Sequence, residues 1–448
     1  MKRRHFLKSV ALTGTAGLIL PRTTIFGADA PSNKLNIALI GTWGRASEHF
    51  GTCSRENVVA LCDVNEEHLA FGVDKLKQFP NVKTYVDWRK CLEQKDINAV
   101  VICTCDHTHA FITNWALNRD MHVYCEKPLG ITVEEARVVR ANYLKKKNKL
   151  ATQVGTQRHE YENFNRVQEL IRDGIIGDLV AASAWDARQN RAKGYPAGEG
   201  EPPKYLHWDL WIGPAPFHPY SKQYFRHGPG MNCLSWNMFW DFATGQVGDM
   251  GSHTMDIIWN AIEAGLPTSA EAKQGDPYNP EVCPVKLQTD FQIPKNDWRP
   301  EIKVSWYQGG ALPEKPIDYV DLKRMGNGAL FEGSKGFLLC DFTTRAILPT
   351  RGGANMTYYK PRSKEALLPP LGNFQRQWVN AAKSSNPAAT DCNFEYAGNM
   401  IEMMNLGLVA YRVGRKLDYD PVAGQVKNDP EANALLKRNY REGWTLNG

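Results

Sequence analysis

Net charge is scarce in this sequence once its first thirty residues are set aside. The 448-residue chain has a formal charge of +6, and residues 1–30, with five basic residues and one acidic residue, carry +4 of it. The remaining +2 gives no basic pattern of the kind that nucleic acids or anionic membranes need. We therefore expect neither of them as a partner.

Closely paired cysteines are also lacking. None of the ten cysteines belongs to a Cys-x-x-Cys pair, so a structural zinc site is not expected. Cys62, Cys103, Cys105 and Cys125 lie in or just after apolar runs typical of central strands, where cysteine behaves as a small hydrophobic residue. Their placement argues against a disulfide framework.

The chain shows no internal repeats, and its N-terminal apolar run is short. This run, Ser9 to Leu20, is only mildly apolar and too short for a convincing membrane span. It follows Arg3-Arg4-His5-Phe6-Leu7-Lys8, which matches the twin-arginine export pattern, and Ala28-Asp29-Ala30 offers a cleavage site. Residues 1–30 are predicted to be a twin-arginine signal peptide that directs a folded protein to the bacterial periplasm. A basic N-terminal helix that stays attached is the alternative.

Residues 31–156 alternate between strand-like and helix-like segments. Apolar runs with the length of buried strands lie at 35–40, 58–62, 99–103, 122–125 and 150–154. Helix-like segments lie at 66–78, 109–118 and 133–147. Near-continuous apolar strands that alternate with helices indicate a parallel sheet covered on both faces. The prediction for this part is an α/β Rossmann domain.

The pattern changes after Gly155. A helix is predicted at 164–172, and strand-like segments cluster at 179–185, 284–291, 302–307, 328–332 and 336–340. Clustered strands predict a second α/β domain over residues 157–372 with an antiparallel sheet. Residues 186–245 are rich in aromatic side chains, which argues for an ordered functional segment. Helices at 373–382 and 396–417 are predicted to pack back on the core, within residues 373–448.

The first strand leads into the glycine turn Gly41-Thr-Trp-Gly-Arg-Ala46. A glycine turn between a strand and a helix presents N–H groups to a pyrophosphate. Asp63 ends the second strand, 22 residues after Gly41, where an acid accepts hydrogen bonds from an adenosine ribose and repels a 2′-phosphate. This favours NAD over NADP. Trp43 stands where a second glycine is expected, and Gly44 is the candidate to take over its role.

Polar residues follow the next strands at the edge where ligands bind such sheets. Glu126-Lys127-Pro128 comes directly after the strand at 122–125, so Lys127 is placed to reach a nicotinamide or a substrate hydroxyl. A surface lysine in a turn is the plain alternative. Cys105-Asp106-His107-Thr108-His109 follows the strand at 99–103. A helix N-cap by Asp106 or Thr108 is the favoured interpretation over a metal site.

The stretch Gly245–Asp256 places an acid, a histidine and an acid at helical spacing. If it is helical from Asp249 onward, Asp249, His253 and Asp256 share one face. A carboxylate beside a histidine holds its tautomer and raises its basicity, which suits proton transfer. A buried polar patch and a metal site completed by His107 or His109 are the alternatives, although no metal is expected.

Together the glycine turn, Asp63, Glu126-Lys127-Pro128 and the Gly245–Asp256 stretch resemble the Gfo/Idh/MocA oxidoreductase family over about residues 35–415. The resemblance implies a Rossmann domain and a second α/β domain, whose open, mostly antiparallel sheet helps to form homo-oligomers. It implies Lys127, Asp249 and His253 as catalytic residues, with His253 as the acid/base. We predict that the cofactor is bound by Gly41, Thr42, Trp43, Gly44, Arg45, Asp63, Asp106, His109, Glu126 and Lys127.

Candidate substrate residues lie where the chain leaves the first domain and within the aromatic-rich residues 186–245. Aromatic faces together with polar side chains suit a carbohydrate, although tryptophans that fill the core are the simpler explanation for any single one. The predicted substrate residues are Gln157, Arg158, Tyr224, Arg226, Trp236 and His253.

These features predict an exported NAD(P)-dependent oxidoreductase that acts on a hydroxyl of a sugar, cyclitol or glycoside and keeps its cofactor bound. The first alternative is an NAD-retaining glycoside hydrolase or lyase that oxidises C3 transiently and then eliminates. A sugar-binding relative with an inactive cofactor site, suggested by Trp43, is a third possibility.

Overall fold

The computed structural model describes residues 33–318, 320–349 and 356–448. Within it, Leu35–Gly448 pack together as one unit. The predicted signal peptide, residues 1–30, falls outside the described residues. Among those described, no helix combines the length with the apolar stretch that crossing a bilayer takes.

The first sheet has six strands within the described residues, and all of its pairs are parallel. They are β1 Asn36–Ile40, β2 Asn57–Cys62, β3 Lys83–Tyr85, β4 Ala99–Ile102, β5 His122–Cys125 and β6 Thr152–Val154. The order β3-β2-β1-β4-β5-β6 is that of a doubly wound dinucleotide-binding fold. Strand β4 is buried at every residue because helices cover both faces. The predicted Rossmann domain is confirmed.

Helices connect these strands, and three of the five start at a side-chain cap. They are α1 Phe50–Cys53, α2 Glu66–Lys75, α3 Trp88–Cys91, α4 Asp106–Asn118 and α5 Val133–Leu144. Asn65 accepts hydrogen bonds from two N–H groups at the start of α2, and Thr132 caps α5. Cys105 precedes α4 without a side-chain cap, and Asp106 is already the first helical residue, so the predicted N-cap by Asp106 or Thr108 is wrong.

The second sheet is mixed and mostly antiparallel. Its strands in the described residues are β7 Leu179–Asp186, β8 Ser269–Gly275, β9 Leu287–Ile293, β10 Ile302–Gln308, β11 Asn327–Gly333, β12 Gly336–Cys340, β13 Arg345–Pro349, β14 Leu417–Asp420 and β15 Gln425–Val426. They run in the order β13-β12-β11-β7-β10-β9-β8-β14-β15, and the β7–β10 pair is parallel. This confirms the predicted second α/β layer.

The remaining helices follow the first sheet in the chain. They are α6 Glu162–Arg172, α7 Trp208–Ile212, α8 Ser252–Ala261, α9 Phe374–Ala382, α10 Phe394–Val413 and α11 Pro430–Leu435. Helix α10 packs against α5 on one side and against β8 and β9 on the other. Its buried Glu402 accepts hydrogen bonds from Arg137 and Arg140 of α5 and from Tyr419 of β14. Removing one partner of such a buried set is costly, so this set couples the two sheets.

Sequence patterns misplaced a few boundaries. The helix predicted to reach Leu417 ends at Val413, because Gly414 adopts the left-handed conformation at φ +69° and closes it. Leu417 then begins β14. Strand β8 has the polar sequence SAEAKQG and was not predicted, because it has no apolar run.

Candidate active site

The glycine turn after β1 has a backbone geometry that favours glycine. Gly41 has φ +81° and Gly44 has φ +65°, both in the left-handed region. A Cβ at Gly41 would lie 2.5 Å from the carbonyl oxygen of Cys103, so the turn lies against the end of β4. Trp43 between them is extended, at φ −132°. Gly44, rather than position 43, therefore supplies the second permissive position.

Asp63 lies beside this turn and is bound to it. Its Oδ2 accepts a hydrogen bond from Thr42 N at 2.8 Å, and its Oδ1 accepts one from Asn65 N at 2.9 Å. Burial raises the pKa of Asp63, against the opposing effect of His68. The ring of Trp43 stacks on His68 at 4.4 Å, so this large side chain lies over α2. Asp63 Oδ2 also accepts a hydrogen bond from Thr42 Oγ1 at 3.3 Å, so Oδ1 is the oxygen with acceptor capacity left for a ribose hydroxyl.

A cavity of about 440 Å³ opens at Asp63. Gly41, Trp43 and Asp63 line one side of it. The other side is formed by the aromatic segment, which we define as residues 203–236. This segment contributes Pro203, Tyr205, Leu206, Leu210, Trp211, Tyr220, Lys222, Tyr224, Phe225, His227, Asn232 and Trp236. The volume lies in the usual range of ligand sites.

Two predicted substrate residues, Tyr224 and Trp236, line the cavity at Asp63 and are 1% and 5% exposed. Arg226, next to them in sequence, is exposed. Asn232, which sequence reasoning missed, reaches the turn, because a Cβ at Gly44 would lie 2.9 Å from its Oδ1.

Lys127 and Asp249 form the ion pair at the other end of the site. Lys127 Nζ lies 2.5 Å from Asp249 Oδ1, and both side chains are largely buried. Burial alone would lower the pKa of Lys127, but Asp249 raises it above its usual range. Asp249 Oδ2 also accepts a hydrogen bond from Arg188 at 3.2 Å. Arg188, in the loop after β7, was missed because no motif marks it.

His253 lies near this pair without bonding to it. Burial lowers its pKa well below 6.5, and the cations Lys127, Arg158, Arg45 and Arg188 lower it further. Its Nδ1 is buried and has no hydrogen-bond partner among the described residues. The expectation that Asp249 is its carboxylate partner is wrong, because Asp249 is bound to cations instead. Asp249 lies in a π-helical turn, Val247–Gly251, that runs into α8.

Asp256, the second acid predicted on the same helix face as His253, belongs to a separate cluster. Asp256 Oδ2 lies 2.9 Å from His159 Nδ1, and Tyr396 donates its hydroxyl to Asp256 Oδ1 at 2.5 Å. Cys392 completes the only close group of three possible metal ligands in the described part of the chain. Burial alone would lower the pKa of His159, but Asp256 raises it well above 6.5. Asp256 is thus a structural anchor for α8.

Glu126 and His109, both predicted to bind the cofactor, are occupied by protein groups. Glu126 Oε1 lies 3.1 Å from Arg45 Nε and 2.7 Å from His49 Nε2. Burial opposes ionisation, but Arg45 and His49 lower the pKa of Glu126 to about 2. His109 lies within 3.0 Å of the carbonyl oxygens of Pro128 and Thr104 through its two ring nitrogens. Neither His109 nor the occupied Oε1 of Glu126 is free to reach a ligand.

Asp106, Gln157 and Arg158 are placed on the Lys127 side. Burial raises the pKa of Asp106 well above its usual range, against the opposing effect of Lys127. Gln157 and Arg158 follow β6 in a 3-10 turn and are half-buried. Gln157 Oε1 is buried and has no partner among the described residues. Asp106 acts electrostatically on Lys127, and Arg158 acts on His253.

Two family models match the chain in succession. The Gfo/Idh/MocA model described as "Oxidoreductase family, NAD-binding Rossmann fold" matches residues 35–156. The model described as "Oxidoreductase family, C-terminal alpha/beta domain" matches residues 180–269 and 358–446. Together they cover more than half of the sequence. The chain belongs to the Gfo/Idh/MocA oxidoreductase family.

Relatives of this family member include a dehydrogenase and a hydrolase. Inositol 2-dehydrogenase of Salmonella typhimurium is 30% identical over 148 residues, which cover 32% of this chain and 43% of that protein. A glycosyl hydrolase family 109 protein of Stenotrophomonas maltophilia is 30% identical over 231 residues, 48% of each chain. The chain thus spans less than half the length of these curated relatives.

Solved structures share the fold at low sequence identity. WlbA dehydrogenase from Bordetella pertussis, in complex with NADH and UDP-GlcNAcA, has a TM-score of 0.58 at 13% identity and covers 86% of this chain and 99% of its own. Levoglucosan dehydrogenase, in complex with NADH and levoglucosan, has a TM-score of 0.54 at 15% identity, with the same coverage. At these identities the likeness shows the fold.

The residues present fit the NAD that this family domain binds. Left-handed glycines let the backbone approach a pyrophosphate, Asp63 offers an acceptor to a ribose, and the adjoining cavity has room for an adenosine. Lys127 follows β5 at the carboxyl edge of the same sheet, the edge at which ligands bind this fold. A departure at Trp43 does not block the turn, because its ring lies on His68.

Proposed function

We propose that the protein is an exported NAD-dependent oxidoreductase that removes a hydride from a hydroxyl-bearing carbon of a sugar, cyclitol or glycoside. The observation that carries the proposal is the Lys127–Asp249 ion pair beside a neutral, partly unpartnered His253 in an NAD-binding family member. A cyclitol dehydrogenase among the relatives and sugar ligands in two structural neighbours support the substrate class.

The side chains divide the proton chemistry between them. Lys127 stays protonated because its pKa is raised, so it donates a hydrogen bond to the oxygen of the reacting hydroxyl. Asp249 holds Lys127 in place. His253 stays neutral and accepts the hydroxyl proton as the carbonyl forms. When bound, the nicotinamide supplies the acceptor for the hydride.

A retained cofactor is part of the proposal. The aromatic segment covers the cavity at Asp63, and its Asn232 lies against the glycine turn. A nucleotide seated there would be partly covered by this segment. Retention suits an enzyme exported to a compartment without free NAD. The acid at position 63 favours NAD, with NADP as the less favoured cofactor.

Nucleotide content tests the proposal first. We expect protein purified from its native host to release NAD or NADH on denaturation, identified by its mass and by absorbance in the nicotinamide bands. A screen of sugars, cyclitols and glycosides should then bleach or generate the reduced band. Protein that carries no nucleotide and neither binds nor reduces added NAD would contradict the proposal.

A second candidate is an NAD-retaining glycoside hydrolase or lyase. The glycosyl hydrolase family 109 relative, which matches more of the chain than the inositol 2-dehydrogenases do, supports it. The same Lys127 and His253 would serve a transient oxidation followed by elimination and reduction. Release of the aglycone from an aryl glycoside without added NAD and without net NADH would favour this candidate over a dehydrogenase.

Export and assembly complete the proposal. The twin-arginine pattern at Arg3-Arg4 supports export, and a lysine pair at these positions should leave the protein in the cytoplasm of the host. Val180 of β7 and Ile347 of β13 expose apolar side chains on the second sheet, at 50% and 38%. A homo-oligomer formed through that sheet, which the family resemblance implies, can be tested by light scattering of the purified protein.

A further inference from the structure

Cations lie around His253, and not all of them have an acid as an ion-pair partner. Four cations act on its pKa: Lys127, Arg158, Arg45 and Arg188. Four acids interact with these cations, and burial raises the pKa of two of them, Asp106 and Asp186. The other two, Asp249 and Glu126, form ion pairs. Asp249 is shared by Lys127 and Arg188, and Glu126 is shared by Arg45 and His49. Arg158 forms no such ion pair among the described residues.

Arg158 has no counter-ion among the described residues. It takes part in no ion pair or hydrogen bond there, and its guanidinium lies over the ring of Phe342 at 4.3 Å. Burial and the neighbouring Arg188 lower the pKa of this half-buried arginine. A partly desolvated charge without a partner is costly, so such groups usually serve a ligand. The unpartnered Gln157 Oε1 lies next to it in the chain.

One further acid lies near the two arginines but does not balance them. Asp186, the last residue of β7, accepts a hydrogen bond from the N–H of Arg188 at 2.9 Å. Burial raises the pKa of Asp186 to about 6, so it ionises less readily than an exposed acid. Even when ionised it supplies one negative charge to Arg158 and Arg188 together.

The position of Arg158 separates it from the cofactor phosphates. The pyrophosphate in this fold sits at the glycine turn after β1. Arg158 follows β6, which lies three places from β1 in the sheet order. With strands about 4.8 Å apart, the two sites are roughly 14 Å from each other. Arg158 therefore lies on the β6 side of the site, away from the turn that would hold the pyrophosphate.

We propose that the substrate carries an anionic group, a carboxylate in the first place, that binds to Arg158 with Arg188 alongside. The planar fork of a guanidinium matches a carboxylate with two parallel hydrogen bonds. The preferred substrate is then a sugar acid or a glycoside of one, and a sugar phosphate shares the same chemistry. This proposal rests on the oxidoreductase or NAD-retaining hydrolase function proposed above. A bound anion would also weaken the repulsion that keeps His253 from accepting a proton.

The test compares matched acidic and neutral substrates on the nucleotide-loaded enzyme. D-glucuronate and D-galacturonate are set against D-glucose and D-galactose, with the 6-phosphates as a third arm. We expect kcat/KM and the ligand-induced rise in Tm to be larger for a charged arm than for the neutral arm. In Arg158→Gln the charged arm should lose about 30-fold or more in kcat/KM, the size of a charge-assisted hydrogen bond, while the neutral arm changes less than about 3-fold. Arg158→Lys should recover part of the loss.

Arg324→Gln is the matched control, since it removes the same charge from a side chain that is 88% exposed. It should leave both arms unchanged. Neutral sugars bound and oxidised in preference to both charged arms, or an equal loss in both arms of Arg158→Gln, would overturn the proposal. Nucleotide content is measured separately for each protein, so a missing cofactor identifies a failure of the proposed function instead. The Tm shifts report substrate charge preference even without turnover.

Discussion

His159 contacts α8 and His253 belongs to it; both are buried, and their pKa values move in opposite directions. His159 has the Asp256 carboxylate 2.9 Å from its Nδ1, and its pKa is raised well above 6.5. His253 has no carboxylate partner and four cations around it, and its pKa is lowered well below 6.5. The first histidine is a fixed charge that holds α8 in place, and the second is a neutral base that faces the site.

The difference shows why residues that were predicted to share one helix face belong to two separate clusters. Each helical residue turns about 100° around the axis, so Asp256 lies about 60° from His253 and can face another neighbour. The π-helical turn at Val247–Gly251 shifts Asp249 further from regular spacing and leaves it to Lys127. Which acid serves which histidine therefore depends on the neighbouring elements, and spacing along one helix cannot show it.

The largest effect is expected from a substitution of His253, the catalytic histidine of this comparison. We expect His253→Gln to lower kcat about 100- to 10,000-fold, because it removes the proton acceptor. Its free energy of unfolding should change little, since His253 Nδ1 makes no hydrogen bond in the described structure. Steady-state kinetics and urea unfolding on the same preparation measure the two quantities. A variant with full kcat would show that another group accepts the proton.

The next largest effect is expected from a substitution of His159, the structural histidine of this comparison. We expect His159→Gln to lower the free energy of unfolding by about 3–5 kcal/mol, because Asp256 is left buried without its counter-ion. His207→Gln is a matched control, since His207 pairs with Glu66 at 2.8 Å on the surface, with side chains 35% and 55% exposed. That change should cost about 0.5 kcal/mol or less. Equal losses in both variants would contradict an anchoring role for the buried pair.

The sequence allowed the fold to be predicted far better than the pairing of side chains. Apolar strands alternating with helices identified the Rossmann sheet because each buried strand has its own local pattern. The Lys127–Asp249 pair joins residues 122 positions apart, and only the family resemblance brought them together. Arg188 and His159 carry no motif, because a loop and a 3-10 turn deliver them. Their roles depend on tertiary contacts alone.

A pH series of unfolding sharpens the comparison. The folded pKa of His159 is raised, so its contribution to stability is complete below pH 6.5 and is lost as pH rises above 6.5. The folded pKa of His253 is lowered, so its contribution is complete above pH 6.5 and is lost as pH falls below it. Each histidine changes the free energy of unfolding by at most about 1.4 kcal/mol per pH unit.

The two variants separate these contributions. Subtracting the His159→Gln curve from the wild-type curve should give a slope only above pH 6.5, and subtracting the His253→Gln curve should give one only below it. Other titrating groups cancel in each difference. Urea unfolding between pH 5 and pH 8.5 supplies all three curves. Slopes on the same side of pH 6.5 would show that the two histidines share one environment.

The smallest effect concerns Tyr396, which lies on the structural side only. Its hydroxyl donates to Asp256 Oδ1 at 2.5 Å, on the oxygen that His159 does not use. Tyr396→Phe removes this bond to a charged group and should lower the free energy of unfolding by about 1.5 kcal/mol. His159 keeps its carboxylate, so the decline in stability above pH 6.5 should persist, and kcat should stay near the wild-type value. If kcat fell as far as in His253→Gln, the two histidines would belong to one connected network, because the loss of an anchoring bond alone would not remove the base.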